Sequence, residues 1–139
     1  MTIELATGLA DRQWVIAAGS GQGIDQLALR SATAMQGRTI GLAAMGLHSI
    51  FVVEGSVAIS ELPPTNTVTV RGQLRAKHLL ATVATKTILI EAGEYSGALR
   101  TAQAAHAMNR PVGFVAGANG NTSAAGCHGL LERHSLALV

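Results

Sequence analysis

The chain has 139 residues, enough for one domain that buries roughly two-thirds of the surface exposed by the unfolded chain. Hydrophobic residues make up 48% of it and aromatic residues only 3%, a composition typical of α/β proteins, and its one cysteine excludes an internal disulfide. The net charge of +2 is unevenly distributed: residues 71–110 hold six Lys or Arg against two Glu, a balance of +4, whereas residues 1–70 hold three against five, a balance of −2. Because there is no long apolar run and no signal sequence, we expect a single cytoplasmic domain over residues 1–139 that is not bound to a membrane.

The first part of the chain predicts a helix, a strand, a glycine-rich loop and a second helix. Residues 2–10 have the apolar spacing of a helix, and residues 14–18 form the first clear strand. A five-residue loop then leads directly into a helix that ends at Gly37, a candidate C′ glycine. The loop consists of Gly19, Ser20, Gly21, Gln22 and Gly23, and the predicted apolar stripe of the helix is Ile24, Leu27, Ala28, Ala32 and Met35.

The loop over residues 19–23 is a candidate phosphate-binding loop. Backbone amides that converge at a helix N-terminus can bind an anion, although a tight turn without a ligand is the alternative interpretation. The Gly-x-Gly-x-Gly spacing differs from the dinucleotide fingerprint, and no acidic residue ends the next strand to hold a ribose. These features disfavour an NAD or FAD enzyme, and the missing Walker lysine disfavours an NTPase.

The middle of the chain predicts two strands and a basic helix. The strands cover residues 39–43 and 57–59, with residues 50–53 as a candidate extra strand between them. A helix over residues 72–84 has Ala76, Leu79, Leu80 and Val83 on its core face. Its other face presents Arg71, Arg75, His78 and Thr82, with Lys77 adjacent. Such a face can follow a phosphate backbone, although basic residues on a helix are more often only a solvated surface.

Residues 86–117 predict one βαβ unit. The two strands cover residues 88–90 and 112–115, and between them Ser96 is a good N-cap for a helix that ends near Asn109. Ser96, Gly97 and the first amides of this helix, with Arg100 nearby, form a second candidate anion site; simple capping by Ser96 is the alternative. Tyr95, in the loop before the helix, is the best candidate for stacking against a nucleic-acid base.

Catalytic and metal chemistry are disfavoured by the pattern of reactive residues. His48 and Glu54 each stand singly, and Cys127 has no evident base partner. Cys127, His128 and His134 lack the paired spacing of a zinc site. We therefore expect no catalytic residue, no metal and no cofactor.

Several stretches together resemble one family. They are AAGSGQGID at 17–25, ISELPP at 59–64, RAKHLLATVA at 75–84, IEAGEYSGALRTA at 90–102, and VAG at 115–117 with GCHGLL at 126–131. In kind and order they are similar to the landmarks of the DNA-processing protein A family (DprA, also called Smf). Several family positions are altered. Gln22 stands where a basic residue is common, Ser20 replaces a glycine, and the family's Arg-Asn-Arg motif aligns with Ala76, Lys77 and His78.

The resemblance implies a Rossmann-like α/β domain. We expect a mostly parallel sheet of five or six strands with helices on both faces, with the strand ends and both glycine loops at one carboxyl edge. The family's domain begins with a strand before the helix that residues 2–9 resemble, so we expect a helix and not a strand from residues 1–10. The resemblance also implies a homodimer, to which the apolar residues 130–131 and 136–139 would contribute.

Two functions follow as hypotheses. The first is a non-catalytic single-stranded-DNA-binding protein that, as the resemblance implies, helps to load a RecA-type recombinase. Its site residues would be Arg71, Arg75, Lys77, His78, Ser96, Gly97 and Arg100, together with the loop over residues 19–23. The alternative is a Rossmann-like protein that binds or hydrolyses small nucleotides, although the Gly-Gly-x-Gly-Thr-x-x-Glu loop of the phosphoribohydrolases is absent.

Overall fold

The computed structural model describes residues 1–49, 53–115, 125–127, 129 and 137–138. The chain divides into two compact units, Met1–Ala76 and Lys77–Val139, and each combines parallel strands with helices. The predicted α/β class is therefore confirmed, while the single domain over residues 1–139 stays a prediction. Within the described ranges, no helix has both the length and the apolarity needed to cross a membrane.

The first unit contains a three-stranded parallel sheet. Its elements are α1 (Thr2–Asp11), β1 (Ile16–Gly19), α2 (Ile24–Ala34), β2 (Thr39–Leu42), a short 3-10 helix (Leu47–Ser49), β3 (Val57–Ile59) and the beginning of α3 (Val70–Val83). The strand order is β1-β2-β3, with Ile16 opposite Thr39 and Ile40 opposite Val57. Residues 2–11 are helical, which confirms the prediction that the chain opens with a helix.

The end of α2 differs from the prediction in which residue takes the left-handed conformation. Gln36 has φ 56°, and the amides of Gln36 and Gly37 donate to the carbonyls of Thr33 and Ala32, both bonds of a Schellman motif. Gly37 has another role, because a Cβ there would lie 2.7 Å from Cβ of Ala10. The glycine therefore allows α1 to lie close to the end of α2.

The predicted apolar stripe of α2 is partly wrong. Leu27 is 41% exposed and Met35 is 52% exposed, whereas Leu29 and Ala32 are buried. The reason is that α2 packs against both α1 and the sheet. Its buried face therefore includes Leu29, which the single predicted apolar stripe leaves out.

The second unit contains the predicted βαβ arrangement. After the end of α3 come β4 (Thr87–Ile90), α4 (Gly97–Ala107), β5 (Val112–Val115) and β6 (Ala137–Leu138), in the strand order β4-β5-β6. β4 and β5 are parallel, with Thr87 opposite Val112. A core of small and aliphatic side chains surrounds the fully buried Phe114. On α3 this core takes in Ala81, which is fully buried, whereas the predicted core residue Val83 is exposed, because residues two apart lie on nearly opposite sides of a helix and α3 turns Ala81 toward the core.

The prediction of one sheet of five or six strands is wrong for the described residues, which form two sheets of three strands. Each sheet is built from strands that are consecutive in the chain. Pro63 and Pro64 follow β3 and have no N–H to donate, so the chain leaves the first sheet there as a turn. Residues 50–52 of the candidate extra strand lie outside the described residues, as do residues 130, 131, 136 and 139 of the expected dimer surface.

Candidate nucleic-acid interface

Helix α3 begins two residues before the predicted start, because Thr69 caps it. Oγ1 of Thr69 accepts a hydrogen bond from the Gly72 amide at 3.0 Å, and its carbonyl accepts from the Gln73 amide at 2.9 Å. A Cβ on Gly72 would lie 2.6 Å from the Ala44 carbonyl oxygen, so this glycine allows the first turn to approach the chain that follows β2. Threonine is a favoured N-cap type, a signal in the sequence that the predicted helix start at residue 72 did not use.

The predicted basic face of α3 is exposed as expected. Arg71, Arg75, His78 and Thr82 are all exposed, and their spacing of four, three and four residues places them along one side of the helix. The first turn has no acidic residue, so the positive end of the helix dipole adds to the charges of Arg71 and Arg75. The start of α3 is therefore an electropositive helix end.

The second glycine site is formed at the start of α4. Ser96 caps the helix as predicted, with Oγ accepting from the Ala98 amide at 3.3 Å. Lys77 lies over the same turn, because a Cβ on Gly97 would come within 2.6 Å of its Cε and 2.9 Å of its Nζ. The side chain of Lys77 therefore packs against Gly97, where there is no side chain, and brings its ammonium group to the positive end of α4. The sequence pattern predicted Lys77 and Gly97 as site residues but did not predict the contact between them.

The turn that precedes α4 is held by backbone hydrogen bonds. The Ser96 amide donates to the Gly93 carbonyl at 2.9 Å, and the Ala92 carbonyl accepts from the amides of Gly126 and Cys127. Glu91 adopts φ 55°, a left-handed conformation that is unusual for a residue with a side chain. Tyr95 stands on this turn with 95% of its surface exposed. Arg100 is also exposed and lies in the first full turn of α4.

The first glycine loop differs from the second in charge. A Cβ on Gly19 would lie 2.5 Å from Oδ2 of Asp25, so a carboxylate lies against this loop. The Ser20 amide donates to the Leu42 carbonyl at 2.9 Å and is occupied within the sheet. Around Gly21 and Gly23 there is open space, and φ of 96° at Gly23 requires a glycine. An anion could therefore bind at Gly21, Gln22 and Gly23, but the carboxylate of Asp25 would repel it.

The basic residues of the described chain fall into two groups. Arg12, Arg38 and Arg110 donate to the carbonyls of Gly8, Gln13 and Ala84, respectively, and Arg30 and Lys86 also make intramolecular interactions. The other four have neither a hydrogen bond nor an ion pair with any residue that the structure describes. These four are Arg71, Arg75, Lys77 and Arg100, the same cations that the sequence assigned to the site.

Of the residues considered for other chemistry, the structure describes His48, Glu54 and Cys127. His48 and Glu54 are exposed in different segments, and in the part of the chain described here no group of three or more His, Cys, Asp or Glu could hold a metal. Cys127 is buried, and burial raises the pKa of its thiol, so the reactive thiolate is disfavoured. His128 and His134 lie outside the described residues.

Comparison with solved structures identifies the fold. The chain superposes on the DNA processing protein A (DprA) of Streptococcus pneumoniae with a TM-score of 0.87 and 25% identity, covering 99% of this chain and 52% of that one. A second similar structure is the DNA processing protein A of Helicobacter pylori, reported for its single-stranded DNA binding mode, with a TM-score of 0.83 and 22% identity over 99% of this chain and 66% of that one.

Comparison of sequences gives the same relationship. The chain is 36% identical over 146 aligned positions to a protein of Mycobacterium tuberculosis that carries the name DNA processing protein DprA. The alignment covers 98% of this chain and 37% of the relative, so the chain spans little more than a third of that protein's length. The family model for DNA recombination-mediator protein A matches residues 1–139 in full. The chain therefore belongs to the DNA recombination-mediator protein A family.

Proposed function

We propose that this chain binds single-stranded DNA without catalysis, through contacts with its sugar-phosphate backbone. The observation that carries the proposal is the set of four cations without a described intramolecular partner, Arg71, Arg75, Lys77 and Arg100. A cationic side chain that forms no internal ion pair remains available to neutralise a phosphate and release its counterion. The other described Lys and Arg residues already have partners within the chain.

The phosphate contacts belong to two helix ends. At the start of α3, Arg71 and Arg75 add to the positive end of the dipole, and His78 extends the same face as a hydrogen-bonding group. At the start of α4, Lys77 joins the amides that follow Ser96 and Gly97. The loop over residues 19–23 is the weaker part of the proposed site, because Asp25 lies against it and repels phosphate.

Membership of the family supports the choice of DNA as the ligand. The family is described as DNA recombination mediators, and the similar H. pylori protein is reported to bind single-stranded DNA. As further parts of the proposal, the chain acts in the cytoplasm as a homodimer and loads a RecA-type recombinase onto the strand. Strand-exchange assays with and without this chain, and sedimentation at tens of micromolar, an order of magnitude suited to a weak dimer, test these two parts separately.

A charge-matched pair of double variants tests the phosphate contacts. Arg75→Ala with Lys77→Ala removes two cations from the proposed site, and Arg12→Ala with Arg38→Ala removes two cations that donate to backbone carbonyls elsewhere. Fluorescence anisotropy with a labelled oligonucleotide measures the affinity of each. We expect the first variant to bind several-fold more weakly and the second to bind as the unmodified chain does.

Equal losses in the two variants would show that only net charge matters, which contradicts the assigned site. The same titration with mononucleotides distinguishes the alternative function. Competition by a mononucleotide at concentrations similar to those of an oligonucleotide would favour a small-nucleotide pocket, because a backbone-tracking surface needs several linked phosphates.

A further inference from the structure

Tyr95 is the most exposed large hydrophobic side chain of the described residues, with 95% of its surface accessible. Within those residues it has no hydrogen bond and no ring contact. Its backbone, in contrast, lies in a turn closed by the hydrogen bond from the Ser96 amide to the Gly93 carbonyl. The ring is therefore presented to solvent from an ordered turn, and it contributes no burial to the stability of the fold.

The other aromatic residues of the chain are placed differently. Phe114 is fully buried in the core of the second unit, and Trp14 is only half exposed and has an intramolecular interaction. Phe51 lies outside the described residues. Among the described aromatics, Tyr95 alone lies in a segment of the proposed site, one residue before the N-cap Ser96 and two before the glycine that Lys77 covers.

We propose that Tyr95 selects single-stranded over double-stranded DNA by stacking on an unpaired base. The inference rests on the proposed function and adds the origin of its specificity. Cations attract the phosphates of both forms, and a duplex carries the higher charge density, so Arg71, Arg75, Lys77 and Arg100 give no preference for a single strand. A base that is already paired and stacked inside a duplex cannot present its face to Tyr95, whereas a base in a single strand can.

Three DNA ligands of equal length test this inference: a single strand, its duplex, and a single strand in which the bases are replaced by abasic sites. We expect Tyr95→Ala to lower the affinity for the ordinary single strand by about tenfold, the scale of one lost base stack, and to leave the duplex affinity unchanged. Tyr95→Phe keeps the ring without the hydroxyl and should retain the affinity. The unmodified chain should bind the abasic strand as weakly as Tyr95→Ala binds the ordinary one.

The outcomes separate this inference from the proposed function. If the unmodified chain binds ordinary and abasic single strands equally, or if Tyr95→Ala retains full affinity, the stacking inference is overturned while phosphate binding stands. Loss of affinity in Tyr95→Phe as well as in Tyr95→Ala would also overturn it, because the hydroxyl and not the ring would then be responsible. If the unmodified chain binds none of the three ligands, the proposed function itself fails.

Discussion

At the scale of single residues, Gly97 is the position where a small change has the clearest expected effect. Its missing Cβ leaves the space that the end of Lys77 occupies, and its backbone is not in the left-handed region. We expect Gly97→Ala to push the flexible ammonium end away from α4 at little cost in stability. The affinity for single-stranded DNA should fall, and the slope of log affinity against log salt should become shallower by about 0.7, the contribution of one phosphate.

A matched control exists at Gly129, where a Cβ would meet no atom of the described residues within 4 Å. Gly129→Ala should change neither the affinity nor the salt slope. If Gly97→Ala binds DNA with the salt slope of the unmodified chain while remaining folded by circular dichroism, Lys77 does not contact phosphate from its observed position.

Asp25 provides a test of opposite sign at the first glycine loop. Its carboxylate lies against Gly19, where it would repel a phosphate bound by residues 19–23. We expect Asp25→Asn, which keeps the shape and removes the charge, to increase the affinity for single-stranded DNA in anisotropy titrations at low salt. An unchanged affinity would exclude residues 19–23 from the phosphate contacts and leave the site to α3 and α4.

At the scale of elements, the start of α4 combines a structural and a binding role that substitution at Ser96 can separate. Ser96→Ala removes the cap and should lower the free energy of unfolding by about 1 kcal/mol. Ser96→Asp restores a capping oxygen and favours the helix dipole, so the stability should return. Its negative charge beside Lys77 and Gly97 should nevertheless weaken DNA binding below that of Ser96→Ala. Thermal unfolding and anisotropy measured on both variants check this expectation, and stronger DNA binding by Ser96→Asp would contradict the proposed phosphate site.

The same element shows why local structure could be predicted well from the sequence. The β4-α4-β5 unit was predicted within one or two residues, because Ser96 has a favourable capping side chain and Pro111 limits the end of the helix. The buried face of α2 was predicted poorly, because two neighbouring elements pack against it and periodicity records only one stripe. The contact of Lys77 with Gly97 joins residues far apart in the chain, so no local pattern contains it.

At the scale of the whole molecule, composition predicted the α/β class but not the number of sheets. Within each described sheet, every strand pairs with its neighbour in the sequence, but β3 does not pair with β4. The apolar pattern of a strand does not show which other strand it pairs with, so it could not predict this division. The candidate cations were predicted as a group because they cluster in residues 71–110. The sequence could not predict which of these cations have a partner within the chain. Arg110 lies in the same range but donates to the Ala84 carbonyl, whereas the four cations of the proposed site have no described partner.

The central claim is that four cations without a partner among the described residues bind the backbone of single-stranded DNA, and the salt dependence of binding tests it most directly. Each neutralised phosphate contributes about −0.7 to the slope of log affinity against log salt concentration, so four contacts predict a slope of about −3. Anisotropy titrations of a labelled oligonucleotide at a series of sodium chloride concentrations measure this slope. A value near −3 is the result that we predict, and an affinity that does not change with salt would contradict the account.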